Sequence, residues 1–127
     1  MNKDRKKERL NVVDENDDII GEESRYNIHK QGLLHREVGI WLFTSKGEVI
    51  FQKRGNDQET FSGLLATTVG GHVALNEEYD RAALREIEEE TGFKPEQKKL
   101  IFILKRRGKY FDESTGRINN RFSQMYI

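Results

Sequence analysis

Residues 85–93 read REIEEETGF, and Glu86, Glu89 and Glu90 stand at positions i, i+3 and i+4. On a helix advancing about 100° per residue these three carboxylates share an arc of roughly 100°. Like charges at that spacing repel and push one another's pKa upward, so a chain that keeps them needs something to offset the repulsion. Hard divalent cations take oxygen ligands, and Mg2+ is typically held by a few carboxylates together with substrate phosphates. A bound cation of that kind would supply the offset. A solvated acidic face is the plain alternative, since Glu is a good helix former.

The element that must hold the cluster is a helix from Glu77 to Thr91, free of Gly and Pro, with Gly92 as its C-terminal cap and Pro95 soon after. Asn76 is the expected N-cap, and Glu77 and Glu78 suit the positive end of the helix dipole. Tyr79, Ala83, Leu84 and Ile87 form the arc that packs on a sheet, while Arg81 and Glu88 face solvent. LLATTV reads as a strand running into Gly70 and Gly71. EVGIWLFTSKGEVIFQKR gives two apolar strands around a Ser45-Lys46-Gly47 turn, the first apolar on both faces and therefore central. Leu10 to Glu23 reads as a hairpin and Ser24 to Lys30 as a helical turn before Gly32. GNDQETFSG is a loop by composition. KKLIFILKRR and KYF, a DESTG turn and RINNRFSQMYI complete a strand region.

A chain of 127 residues suits one domain. Lys plus Arg and Asp plus Glu both total 22, so no net field favours nucleic acid or a membrane surface. The basic start, MNKDRKKERL, has no apolar stretch behind it, which leads us to expect a disordered tail over 1–9 and the domain over 10–127. With no cysteine, disulfides, thiolate metal sites and a Cys nucleophile are excluded. No run approaches the roughly 18 apolar residues of a membrane span, and cytoplasm is the default location. Oligomeric state is not readable; a homodimer is compatible with the sequence. The sequence stops at Ile127 inside an apolar run, from which we expect C-terminal elements of the domain to be missing.

Gly71, Glu77, Arg85, Glu86, Ile87, Glu89, Glu90, Gly92 and Phe93 fit the pattern G-x5-E-x7-R-E-U-x-E-E-x-G-U, with U a bulky apolar residue. Chance agreement is on the order of one in a billion per starting point. The stretch 71–93, GHVALNEEYDRAALREIEEETGF, resembles the signature box of the Nudix hydrolase family. The resemblance implies an α/β (α+β) fold, an α/β/α sandwich on a mixed sheet, and Mg2+- or Mn2+-dependent cleavage of a diphosphate in a small molecule. It implies Glu86, Glu89 and Glu90 as metal ligands, the Gly71 carbonyl as a further one, and Arg85 and Glu77 as groups orienting the carboxylates. The general base is Glu86 or an acid in a later loop.

VDENDDIIG, HKQGLLHREVGIWLF and GGHV resemble the branch containing isopentenyl-diphosphate isomerases and their hydrolase-like relatives. The isomerases use a cysteine where this chain has Gly70, and bind a metal through histidines and glutamates. His29, His35 and His72 roughly match the histidine positions, with the His29 to His35 interval shifted by one, but INNRF stands where an acidic pair belongs. Loss of the thiol and the acids argues against proton transfer at carbon. Sequence shows no convergence of the three histidines, so we expect surface or hydrogen-bonded roles for them. Lys53 and Arg54, and Lys105, Arg106 and Arg107, are either phosphate contacts or solvated surface. FSGLL replaces the aromatic-Pro-Gly-x-Trp segment of the branch, with Ser62 and Leu65 in place of Pro and Trp. The leading expectation is a Mg2+-dependent diphosphate hydrolase; the others are an isomerase and a non-catalytic diphosphate-binding module.

Overall fold

The computed structural model describes residues 8–44, 46–50, 52–53, 65–66, 68–96, 99–113 and 115–127. Most of the basic tail, Ser45 of the expected turn, Arg54, residues 55–63 with Ser62, expected as a loop, and the side chains of Lys53 and Leu65 lie outside the described residues.

The N-terminal hairpin forms as expected. Strand β1 (Arg9–Val13) pairs antiparallel with β2 (Ile19–Ser24). β1 begins at Arg9, within the nine residues expected to form the tail. Ser24 caps helix α1 (Arg25–Gln31), its hydroxyl accepting from the Asn27 N–H at 3.2 Å. Gly32 ends that helix with φ 72°, a left-handed conformation that glycine adopts without penalty.

Next come β3 (His35–Ile40), the short strands β4 (Leu42–Phe43), β5 (Val49–Ile50), β6 (Gln52–Lys53) and β7 (Leu65–Ala66), and then β8 (Val69–His72). Helix α2 (Tyr79–Thr91) follows, then β9 (Phe102–Asp112) and β10 (Arg117–Tyr126). The main sheet has the order β8-β3-β10-β9 and is mixed, because β3 and β10 run parallel while the outer pairs are antiparallel. β3 is thus interior, as its apolar pattern predicts.

Strand periodicity divides this sheet into two chemically different faces. Val38, Ile40, Val69 and Tyr126 point to one side and join Val73, Tyr79, Ala82, Ala83 and Ile87 in the core, so α2 covers that face. His35, Glu37, His72, Arg121 and Ser123, ladder partners or alternates in register, point to the other.

Two details differ from the sequence reading. The N-cap of α2 is Glu78, not Asn76, which instead takes φ 60°. A turn explains this: the Glu77 N–H donates to the Ala74 carbonyl at 3.0 Å while the Glu77 carboxylate accepts from the Ala74 N–H at 2.9 Å. The left-handed Asn76 closes that turn, and the helix starts after it.

Asp17, also left-handed at φ 64°, ties the hairpin to the sheet and helix. Its carboxylate accepts from Arg36 Nε at 2.8 Å, Tyr79 Oη at 2.9 Å and Lys105 Nζ at 2.7 Å. Burial raises its pKa, but the bonds from Lys105, Arg36 and Tyr79 outweigh that and hold it below the ordinary value of 3.8. A depressed pKa contributes stability that is present above the unfolded-state value and lost as pH falls through the folded one. Asp17→Asn is therefore expected to cost about 2 kcal/mol at neutral pH, on the scale of hydrogen bonds to charged groups, and to flatten the acid limb of the stability curve below pH ~4. Denaturant melts from pH 2 to 7 check this; parallel curves for the two proteins would contradict it.

Candidate functional site

Core burial sets the rotation of α2. With Ala82, Ala83 and Ile87 turned into the sheet, Glu86 swings under the end of β8, where it is buried beneath Gly71. A Cβ built on Gly71 would fall inside the Glu86 carboxylate, so any side chain here must push that carboxylate aside. Gly71→Ala is expected to displace Glu86, lowering the melting temperature by several degrees through overpacking of about 1–3 kcal/mol. Thermal melts check this, and an unshifted transition would contradict it.

The charge question raised by REIEEETGF has its answer in Arg85. Its Nε and Nη2 donate to the two Glu77 oxygens, both at 2.9 Å, a bidentate pair. Its Nη1 donates to Glu86 Oε1 at 2.8 Å and Glu89 Oε2 at 3.2 Å, and Nη2 also reaches the His72 carbonyl at 3.0 Å. One guanidinium thus fixes three carboxylates and the strand end. The Gly70 N–H donates to Glu90 Oε2 at 3.4 Å, which brings the fourth carboxylate to the same place. Bonding to Glu77 raises the Arg85 pKa still further above the usual arginine value, so the guanidinium is permanently charged. Burial raises Glu77, but Arg85 and the Ala74 amide hold it below the ordinary carboxylate range.

Gly71, Glu77, Arg85, Glu86, Glu89 and Glu90 are therefore together, as their spacing predicts. Glu86 is buried and Glu89 exposed, so the set runs from protein interior to solvent. The oxygen-only donors, shared around a single guanidinium, keep a net negative charge and fit a hard divalent cation. Lys105 and Arg107 are engaged elsewhere, by Asp17 and Glu15.

The histidines converge where the sequence showed no convergence, and they are buried or half-buried and hydrogen-bonded rather than on the surface. His29 from α1, His35 from β3 and His72 from β8 converge, with ring centroids 5.2–5.3 Å apart and one ligand atom of each within 4.8 Å of the others. His35 is fully buried and His29 nearly so. His35 Nδ1 lies 3.0 Å from the Leu33 carbonyl and must donate to it, which leaves Nε2 a bare lone pair with no hydrogen-bond partner. Burial pushes the His29 pKa down to about 3, with the neighbouring His35, Arg25 and Arg117 adding to the effect. Burial likewise lowers His35. Neutral imidazoles, one with its tautomer fixed by a backbone acceptor, suit a borderline transition metal such as Zn2+. The sequence signal that could have found them is the register: His72 pairs with Glu37, and His35 lies two residues before Glu37 on the same face. The acidic set and the histidines thus lie on opposite faces of β8, at Gly71 and His72.

Comparison with known proteins identifies the family and the fold. The domain family described as NUDIX domain matches residues 33–126, which includes the whole box. The chain belongs to the Nudix family. Within it, this Nudix domain is 38% identical over 89 residues to an isopentenyl-diphosphate Delta-isomerase of Serratia proteamaculans, covering 70% of this chain and 50% of that protein. It is 41% identical over 83 residues to an uncharacterized Nudix hydrolase of Streptomyces coelicolor, covering 65% and 46%. The crystal structure of DR0079 from Deinococcus radiodurans superposes with a TM-score of 0.62 at 25% identity, covering 93% of this chain and 72% of that one. The chain spans about half the length of the curated relatives it matches. No helix among the described residues is long and apolar enough to cross a membrane.

Proposed function

We propose that this Nudix domain hydrolyses a diphosphate linkage in a small molecule, such as a nucleoside diphosphate derivative, with Mg2+ or Mn2+. The observation that supports it best is the Arg85 clamp, which orders Glu77, Glu86 and Glu89 beside Gly71. Glu86, Glu89 and Glu90, with the Gly71 carbonyl, would hold the ion, which supplies charge neutralisation at the diphosphate and activation of water. Arg85 and Glu77 orient the carboxylates. Glu86, the most enclosed of the three ligands, is also the candidate to accept the proton of the attacking water. Lys53 and Arg54, at the strand end ahead of the 55–63 loop, are proposed to meet the substrate phosphates. We place the protein in the cytoplasm, acting on a soluble substrate rather than on nucleic acid or a membrane.

Identity to named isomerases raises isomerisation of isopentenyl diphosphate as a second reading. Gly70 in place of the cysteine, and Asn119 and Arg121 with uncharged amide and cationic side chains in the INNRF stretch, weigh against it. A diphosphate panel assayed with and without Mg2+, alongside proton exchange into isopentenyl diphosphate, separates the two. Mg2+-dependent release of phosphate or a monophosphate product is expected; exchange at carbon without hydrolysis would replace this reading by the other, and binding without product would leave a non-catalytic module.

A further inference from the structure

β9 ends the main sheet, so along its outer side the backbone N–H and C=O groups meet no further strand among the described residues. An open edge of this kind pairs readily with another chain unless it is blunted or covered. Its side chains are exposed on both faces of the sheet. Leu104 and Tyr110 lie on the face of Arg121, and Phe111 lies on the other face with Lys105 and Arg107. Phe102 and Ile103, also exposed, stand at the bulge where β9 slips against Met125 and Tyr126. A helix laid on the sheet would cover one of these faces. A strand added at the edge supplies cross-strand neighbours on both at once.

The order of side chains along β9 indicates which strand. A dyad perpendicular to an antiparallel pair keeps each face continuous and passes through a residue position. Centred on Arg107, it sets Leu104 opposite Tyr110 of the second copy, Lys105 opposite Lys109 and Arg106 opposite Gly108, and it brings Phe111 to the bulged Phe102–Ile103 step. Gly108 has no side chain, so Arg106 has room to cross it toward the Tyr110 ring. Lys105 and Arg107 bring counter-ions with them, Asp17 at 2.7 Å and Glu15 at 3.2 Å, which offsets much of the basic centre. Moving the centre by one residue loses this match, since Leu104 then faces Gly108 or Lys105 faces Phe111.

We propose that the outer edge of β9 is a homodimer interface, in which two copies of this chain join their main sheets through antiparallel β9 strands centred on Arg107. The contact that opposes it is Lys105 against Lys109, like charges directly across the pair. Association therefore tightens as salt screens them.

The chain has no cysteine, so a single introduced thiol reports the register. Arg107→Cys sets the two thiols on the dyad, where opposed Cα atoms stand about 4.5–5.5 Å apart, within disulfide reach. Lys109→Cys sets them about 13 Å or more apart along the strands, beyond it. Under mild oxidation Arg107→Cys is expected to form a covalent dimer about tenfold or more faster than Lys109→Cys. Sedimentation of the unmodified chain over a concentration series should show a monomer–dimer equilibrium. Lys109→Glu, which turns both opposed pairs into ion pairs, should lower the dimer Kd about threefold or more. A chain that stays monomeric throughout the series overturns the proposal and leaves the edge to a strand of another protein. Equal cross-linking at 107 and 109, or a Kd that Lys109→Glu leaves unchanged or raises, overturns it as well.

Discussion

Replacing Glu89 and Glu90 together by glutamine is expected to lower turnover of a susceptible diphosphate by about 100-fold or more, the scale set by losing one strong stabiliser of transition-state charge. Folding should be nearly unaffected. Glu89 lies at the exposed end of the set, where its bond to Arg85 is 3.2 Å, and Glu90, also exposed, meets the Gly70 N–H at 3.4 Å. Surface changes of this kind usually stay within about 0.5 kcal/mol. Steady-state kinetics over a Mg2+ series, with a thermal melt alongside, separate the two effects. Equal turnover by both proteins would remove these residues from the mechanism.

Arg85 should behave in the opposite manner. Arg85→Gln removes the group that bonds Glu77, Glu86, Glu89 and the His72 carbonyl at once, and Glu86 is buried. Taking one partner from a buried ion pair leaves a charge uncompensated, at a cost of about 3 kcal/mol. Stability and activity should therefore fall together, with added Mg2+ restoring part of the stability by binding the folded form. Arg85→Lys is not expected to rescue it, because a single ammonium cannot reproduce the bidentate grip on Glu77. Denaturant melts with and without Mg2+ provide the check; a Lys variant as stable and active as wild type would show that charge alone, not the fork, is what Arg85 supplies.

The parts of this protein legible in its sequence are those set by local spacing. Carboxylates at i, i+3 and i+4 fall on one helix face wherever the helix lies, and Gly92 stops the helix with φ 76° for the reason that makes glycine a C-cap. Likewise β3 reads as interior because a strand apolar on both faces has nowhere else to go. What escaped was set by tertiary context. Asn76 has the chemistry of an N-cap, but the bonds between Glu77 and Ala74 make a tighter turn there, and Asn tolerates the left-handed backbone that results. Lys105 and Arg107, two residues apart on β9, point to the same side, where Asp17 and Glu15 of the first hairpin receive them. Only the hairpin's docking reveals that. The histidines are the sharpest case: three elements contribute one each, and their convergence depends on the β3–β8 register and on the seating of α1.

The claim on which the functional reading turns is that the acidic edge of α2 grips a divalent ion against a diphosphate. Calorimetric titration of Mg2+ into the full chain, with a non-hydrolysable methylene diphosphonate present and its own Mg2+ binding subtracted, measures this directly. Saturable uptake by the wild-type chain, abolished in a Glu86→Gln/Glu89→Gln/Glu90→Gln variant that still folds, is the predicted result. Indistinguishable heats from the two proteins would contradict it.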